Sequence, residues 1–192
     1  MSAFAETIEV SPELSPLAAM LKMIQSFWVS RALHVAAELG VPDLLKDGPR
    51  TSEELAIPTD THAPSLYRVL RALVSVGVFV EDGEGRFALT PLGNTLCTDA
   101  PNSLRRFAIE VLGENHYCAW EKLLYSVKTG QTAFNHVYRV SKWQFDAERR
   151  EDGRIFDEAM AGFDSVVLGL ASPPCSRRTR IAGPVKGRSA EQ

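Results

Sequence analysis

The sequence predicts a mainly α-helical fold: a winged helix-turn-helix-like domain with a small β-hairpin wing and additional helices that form a dimer interface. Three observations predict it. A long apolar helix is indicated over residues 15–41, and a capped helix pair over residues 50–77. Two short segments then flank an acidic, glycine-containing turn between residues 78 and 90. Helix pair followed by hairpin is the order of parts in a winged helix, and 192 residues suffice for one sizeable core.

The first helix is apolar around most of its circumference. Ser15 and Pro16 suit its start, and Gly40 suits its end. Its polar residues recur every fourth position and so form one thin line: Lys22, Ser26, Ser30, His34 and Glu38. The apolar remainder is wider than one core contact requires, so two interpretations stay open: a central helix in a monomeric core, or a helix that also packs on a second subunit. The dimer-interface candidates are Leu17, Met20, Leu21, Ile24, Phe27 and Trp28.

The helix pair opens with a capping box. In "RTSEELA", residues 50–56, the side chains of Thr51 and Glu54 can each bind the other's backbone amide. We expect this helix to stop before Pro58, and the next to run from Pro64 to Gly77. One face of that second helix carries Leu66, Val69, Leu70, Leu73 and Val74.

The wing spans about residues 78–90, and helices follow it. Within the wing an alternating pattern predicts inward-facing Val78, Val80, Phe87 and Leu89. A helix should restart at Thr90 and Pro91, and further helices are predicted over 103–113, 116–130 and 151–170.

The charges argue against nucleic acid as a partner. The helix that would read DNA carries only Arg68 and Arg71, and the turn "EDGEGR" of the wing is acidic. Residues 1–170 hold 16 Lys and Arg against 23 Asp and Glu, whereas residues 171–192 hold five against one. Because affinity for DNA comes largely from neutralising phosphates, DNA binding is not expected, although a winged-helix regulator stays an alternative.

Other classes of site are not indicated. The three cysteines, Cys97, Cys118 and Cys175, have no paired spacing and read as reduced thiols. The histidines are scattered, so no metal site is predicted. No apolar run is long enough for a membrane span, and the first residues carry acids where a signal peptide would carry a basic leader. We therefore expect a cytoplasmic protein that does not enter a membrane.

Four ordered segments carry a family resemblance. "LYRVLRALVSVGVF", "GRFALTPLG", "AWEKLLYSVKTGQTAFNHV" and "GRIFDEAMAGF" resemble successive landmarks in the N-terminal domain of S-adenosylmethionine-dependent O-methyltransferases. These are the plant phenylpropanoid and bacterial polyketide or phenazine enzymes. The resemblance covers about residues 15–168 and implies a domain that forms a homodimer and covers the substrate pocket. In the family a Rossmann-like domain follows, binds the methyl donor and supplies the catalytic base.

That second domain is not found in this sequence. The family's V-D-V-G-G-G-x-G should follow "AMAGFDSVV", where the chain gives "LGLASPPCSRRTRIAGPVKGRSAEQ". Hence no catalytic or cofactor-binding residue of the family is assigned to a position of this sequence. No cofactor is expected for this chain alone, whereas the full-length family binds S-adenosylmethionine. We expect a dimerisation domain without independent catalysis; the alternative is methylation of a small-molecule hydroxyl once a catalytic domain completes the chain.

The resemblance also divides the chain and marks one pair of residues. It implies a dimerisation domain over 15–168, which leaves an N-terminal arm over 1–14. The tail over 169–192 is basic and rich in proline, and its lack of periodicity predicts disorder. Phe156 and Met160 match the family's F-x-x-x-M, whose side chains line the donor and acceptor pocket. Ordinary helix packing at i, i+4 spacing is the alternative for this pair.

Overall fold

The computed structural model describes residues 15–148 and Met160. Within them the chain is mainly helical with one two-stranded antiparallel sheet, which confirms the predicted fold class. In chain order the elements are α1 (Pro16–Glu38), α2 (Val41–Leu44), α3 (Ser52–Thr59), α4 (Ala63–Val74), β1 (Phe79–Glu81), β2 (Phe87–Leu89), α5 (Pro91–Asn94), α6 (Arg105–Val111), α7 (Glu114–Glu121), α8 (Leu123–Thr129), α9 (Ala133–Tyr138) and α10 (Lys142–Glu148).

Helix α1 begins after Ser15 and stops ahead of Gly40, as predicted. The Ser15 hydroxyl accepts a hydrogen bond from the Ala18 amide at 3.2 Å, which caps the start. Gly40 has φ of 65°, a left-handed conformation that an α-helix does not contain. An added Cβ there would also lie 3.1 Å from Nη2 of Arg105. The apolar segment 15–41 therefore forms α1 and a turn at Gly40, and the short α2 begins at Val41.

The capping box is confirmed, but the predicted end of α3 is wrong. The Thr51 amide donates to Glu54 Oε2 at 2.8 Å, and the Glu54 amide donates to Thr51 Oγ1 at 3.2 Å. Helix α3 continues through Pro58 to Thr59, although proline has no amide to donate to the carbonyl of Glu54. Asp60 ends the helix in a left-handed conformation, and the Thr61 amide donates a hydrogen bond to the Ala56 carbonyl at 3.1 Å.

Helix α4 supplies the centre of the hydrophobic core. Leu66, Leu70 and Leu73 are buried as predicted, with Val69 and Val74 partly buried beside them. The other buried core residues come from α1 to α6 and the hairpin: Ala32, Ala36, Ala37, Val41, Leu45, Leu55, Ala56, Val78, Phe79, Phe87, Leu96 and Ala108.

The hairpin forms where predicted, with one face assigned wrongly. Val80 is exposed, whereas Phe79 is fully buried. Directly opposite residues share a face of a sheet, and the register pairs Phe79 with Leu89 and Val80 with Ala88. Because Phe79 faces the core, Val80 must face away from it. Val78 is buried as predicted, ahead of the strand.

The helix predicted over 116–130 is two helices. It breaks at Lys122 between α7 and α8, where the Lys122 amide binds Ala119 O and the Tyr125 amide binds Lys122 O, both three residues back. Beyond the break the Tyr125 ring stacks on His136 of α9, with 4.0 Å between ring centroids. Helix α6 is likewise shorter than the predicted 103–113. The predicted 151–170 helix lies outside the described residues except for Met160, which is helical.

Candidate dimer interface

Helix α1 is divided between core and solvent. Its second half carries the buried Ala32, Ala36 and Ala37. Its first half keeps all six predicted interface candidates exposed, at 48 to 71% of their maximal area. Met23, at 61%, joins them, although no sequence pattern had marked it. We call these seven side chains the α1 apolar surface: Leu17, Met20, Leu21, Met23, Ile24, Phe27 and Trp28.

Contacts near the middle of α1 hold it against the later helices. Nη1 of Arg31 donates to the carbonyl of Leu112 at 2.6 Å, and its guanidinium lies 4.6 Å from the centre of the Tyr117 ring. The Phe27 ring lies 5.7 Å from the same tyrosine ring. The direction of the exposed half is therefore fixed by α6 and α7.

A groove runs between α1 and α4 at the end of the α1 apolar surface. It has a volume of about 460 Å³ and a mostly apolar lining. We call it the α1–α4 groove. Its lining residues are Phe27, Trp28, Arg31, Ala32, Val35, Ser65, Arg68, Val69 and Ala72.

Helices α7 and α8 carry a second exposed apolar surface. Its members are Trp120, Leu123, Leu124 and Val127, and each is at least 48% exposed. A smaller groove of about 310 Å³ adjoins it, with Phe134 of α9 and Lys142 of α10 among its lining.

A buried ion cluster braces the base of this second groove. Nζ of Lys142 lies 3.0 Å from Glu110 Oε1 and 2.6 Å from Asp146 Oδ1. Burial alone would lower the pKa of Lys142, but the hydrogen bonds to the two carboxylates outweigh it and raise that pKa. His116 Nδ1 lies 3.1 Å from the Glu110 carbonyl, so the cluster ties α6, α7 and α10 together.

Arg71 of α4 and Arg86 of the wing are paired with carboxylates of the chain. Nη1 of Arg71 lies 2.5 Å from Glu81 Oε2, and the Tyr67 hydroxyl donates to the other oxygen of that carboxylate at 3.0 Å. In the wing turn Arg86 contacts both Asp82 and Glu84, at 2.8 and 3.0 Å. The surface that would face a duplex therefore presents carboxylates beside each of these arginines.

The remaining sequence-predicted sites stay predictions. Met160 is helical and half-buried, and Phe156 lies outside the described residues. Across residues 15–148 no group of three or more His, Cys, Asp or Glu side chains is arranged to hold a metal ion. No helix in that part of the chain combines the length and apolar character needed to span a bilayer.

Comparison with known proteins identifies this architecture. Residues 21–99 match the family described as the O-methyltransferase dimerisation domain. The chain is 44% identical over 148 residues to the phenazine O-methyltransferase PhzM of Lysobacter antibioticus, covering 77% of this chain and 43% of that protein. It matches the crystal structure of LaPhzM with a TM-score of 0.76 at 43% identity, covering 81% of this chain and 47% of that one.

A third match was solved with its ligands. The O-methyltransferase NcsB1 from neocarzinostatin biosynthesis, in complex with S-adenosylmethionine and 2-hydroxy-5-methyl naphthoic acid, aligns with a TM-score of 0.68 at 32% identity. That alignment covers 79% of this chain and 47% of NcsB1. The chain spans about half the length of the curated relatives it matches. The fold, the exposed α1 surface and these matches agree, and residues 21–99 belong to the O-methyltransferase dimerisation-domain family.

Proposed function

We propose that the chain forms a homodimer through the α1 apolar surface and acts as the dimerisation half of a small-molecule O-methyltransferase. One observation carries the proposal: seven large apolar side chains of one helical segment are about half exposed or more. A contiguous surface of this kind marks an interaction site. A symmetric dimer is the commonest way for a single chain to cover such a surface.

The size of the surface is adequate for association. Fully burying one such side chain contributes about 1.5–3 kcal/mol, so burying the exposed half contributes about 1 kcal/mol. Seven side chains on each of two protomers give roughly 14 kcal/mol, against an association cost of about 4–15 kcal/mol. Part of the second apolar surface, or the α1–α4 groove, would add to this total.

In the whole protein we propose that this dimer supports methyl transfer from S-adenosylmethionine to a small-molecule hydroxyl. The described residues themselves do not fit the methyl donor. Their only sheet has two three-residue antiparallel strands, and no glycine-rich turn leads from a strand into a helix long enough to cradle a nucleotide. We therefore derive no catalytic step from them. The cytoplasm is the proposed compartment, in keeping with the free thiols Cys97 and Cys118.

Light scattering coupled to size-exclusion chromatography tests the homodimer. We expect the wild-type chain at micromolar concentration to elute with twice the mass of one 21.1 kDa chain. Ile24→Glu puts a charge on the apolar surface and should shift the protein to monomer. Gln25→Glu adds the same charge one residue further along, beside the polar line of α1, and should leave the dimer intact. A wild-type chain that stays monomeric would refute the proposal.

Two further measurements separate the dimerisation module from the alternatives. Isothermal titration of the chain with S-adenosylmethionine should give no binding heat, and saturable binding would show that the chain carries its own donor site. Random duplex DNA at low salt should not be retarded by the chain, because Arg71 of α4 and Arg86 of the wing are paired with carboxylates and the turn of the wing is acidic.

A further inference from the structure

Helix α4 forms one wall of the α1–α4 groove. Ser65, Arg68, Val69 and Ala72 make up that wall, and their spacing of three, four and seven residues puts them in one line along the helix. In a DNA-reading domain the exposed face of this helix would carry long polar side chains for base edges. Here the wall ends in Val69 and the small, exposed Ala72, which suits contact with another helix.

We propose that the α1–α4 groove of each protomer receives the first half of α1 from a second copy of this chain. The inference rests on the homodimer proposed above and assigns the surface that α1 meets. The groove begins at Phe27 and Trp28, which are also the last members of the α1 apolar surface. The two surfaces are therefore continuous, and one two-fold axis can bring each onto the other.

The dimensions of the groove match two turns of α1. Its α4 wall runs from Ser65 to Ala72, a rise of seven residue steps or about 10 Å of helix. In α1 the side chains of Leu17, Leu21 and Ile24 lie on one side of the helix, and Leu17 is also seven residue steps from Ile24. A ridge of three branched side chains thus has the length of the groove that would receive it.

The charges permit the same arrangement. Arg31 and Arg68 line the groove, so a cation on the entering ridge would be repelled. Lys22 is the sole charged residue of segment 16–28. At about 100° per residue it lies roughly 130° around the helix from the ridge, and so points away from both arginines.

Cross-linking between differently substituted copies tests this placement. Copies with Leu21→Cys are co-expressed with copies carrying Ala72→Cys, both in a background with Cys118 and Cys175 changed to serine. A short bismaleimide should join the two kinds of copy into a covalent dimer. Leu21→Cys copies paired with Gln131→Cys copies are the matched control, since Gln131 is exposed on the loop after α8, outside the groove lining.

Light scattering on the same proteins distinguishes failure of this inference from failure of the homodimer. A dimer in which Leu21 and Ala72 copies cross-link no better than the Gln131 control would overturn the groove assignment and leave the homodimer standing. A monomer would overturn both.

A groove substitution provides an independent readout. Ala72→Glu should raise the dimer dissociation constant by about tenfold or more, because it carries a charge into an apolar contact. Ala72→Ser is the conservative control and should change the constant little. Ala72 is exposed, so both variants should keep the wild-type circular dichroism spectrum. A dissociation constant unchanged in Ala72→Glu would contradict the placement.

Discussion

Gly93→Ala should destabilise the domain through a backbone clash between α5 and the hairpin. A Cβ at Gly93 would lie 2.2 Å from the carbonyl oxygen of Val78 and 3.3 Å from Cδ2 of Leu89. Ordinary contacts begin near 3.4 Å, so α5 and the strand would have to separate by about 1 Å. The nearest atom belongs to the backbone, which cannot turn aside as a flexible side chain can.

The separation would also stretch the hydrogen bonds that cap α5. Thr90 Oγ1 accepts from the Gly93 amide at 3.0 Å and donates toward the carbonyls of Val78 and Gly77, each at 2.8 Å. Overpacking typically costs about 1–3 kcal/mol, and one lost hydrogen bond adds about 1 kcal/mol. We therefore expect a loss of about 2–4 kcal/mol and a fall in Tm of roughly 5–15 °C.

Gly83→Ala in the wing turn is the matched control. A Cβ at Gly83 would meet no atom within 4 Å, and Gly83 is not among the glycines with positive φ. We expect its stability to stay within about 0.5 kcal/mol of wild type. Both variants are compared by urea and thermal unfolding at one protein concentration, because dimerisation would make Tm depend on concentration. Equal stability of the two variants would refute the clash argument.

Three further substitutions probe buried or paired charges. Burial lowers the pKa of His34, so the unfolded state binds its proton more readily; stability should fall as pH drops below about 6.5, and His34→Gln should flatten this part of the pH profile. Burial alone would raise the pKa of Asp43, but hydrogen bonds from Lys46 and Thr98 outweigh it and lower that pKa. The stabilisation from Asp43 is therefore present above its ordinary value of 3.8 and lost as pH falls through the lowered pKa, and Asp43→Asn should remove this acid-dependent loss in urea titrations. Lys142→Met leaves two buried carboxylates without their cation, and calorimetry should show a loss of about 3–5 kcal/mol at neutral pH; a variant as stable as wild type would show that the cluster contributes no net stability.

Local signals in the sequence were sufficient for the order of the elements. The capping box at Thr51, the proline at the start of α4 and the left-handed Gly77 act over a few residues, and each appears where predicted. The wrong predictions concern features that depend on contacts between residues far apart in the sequence. Alternation alone could not orient Val80, because a three-residue strand takes its orientation from its partner strand and the core beneath it.

The candidate interface divides in the same way. An apolar circumference identified α1 as a helix with two faces to cover, but left core and subunit contact as equal alternatives. In the structure the core contact is made by the part of α1 from Ala32 to Ala37. The large apolar side chains before Val29 are exposed. The ion cluster could not have been predicted from spacing, since Glu110 and Lys142 are 32 residues apart and meet only through the packing of α6 and α10.

Because α1 is one uninterrupted helix, the packing of its buried half sets the direction of its exposed half. From Ala32 to Leu17 the helix extends about 22 Å, so a tilt of the helix axis by about 5° at Ala32 would move Leu17 by about 2 Å. A substitution at Ala36, deep inside one protomer, can thereby misalign a surface it never touches. The precision with which two copies meet is set by the packing inside each of them.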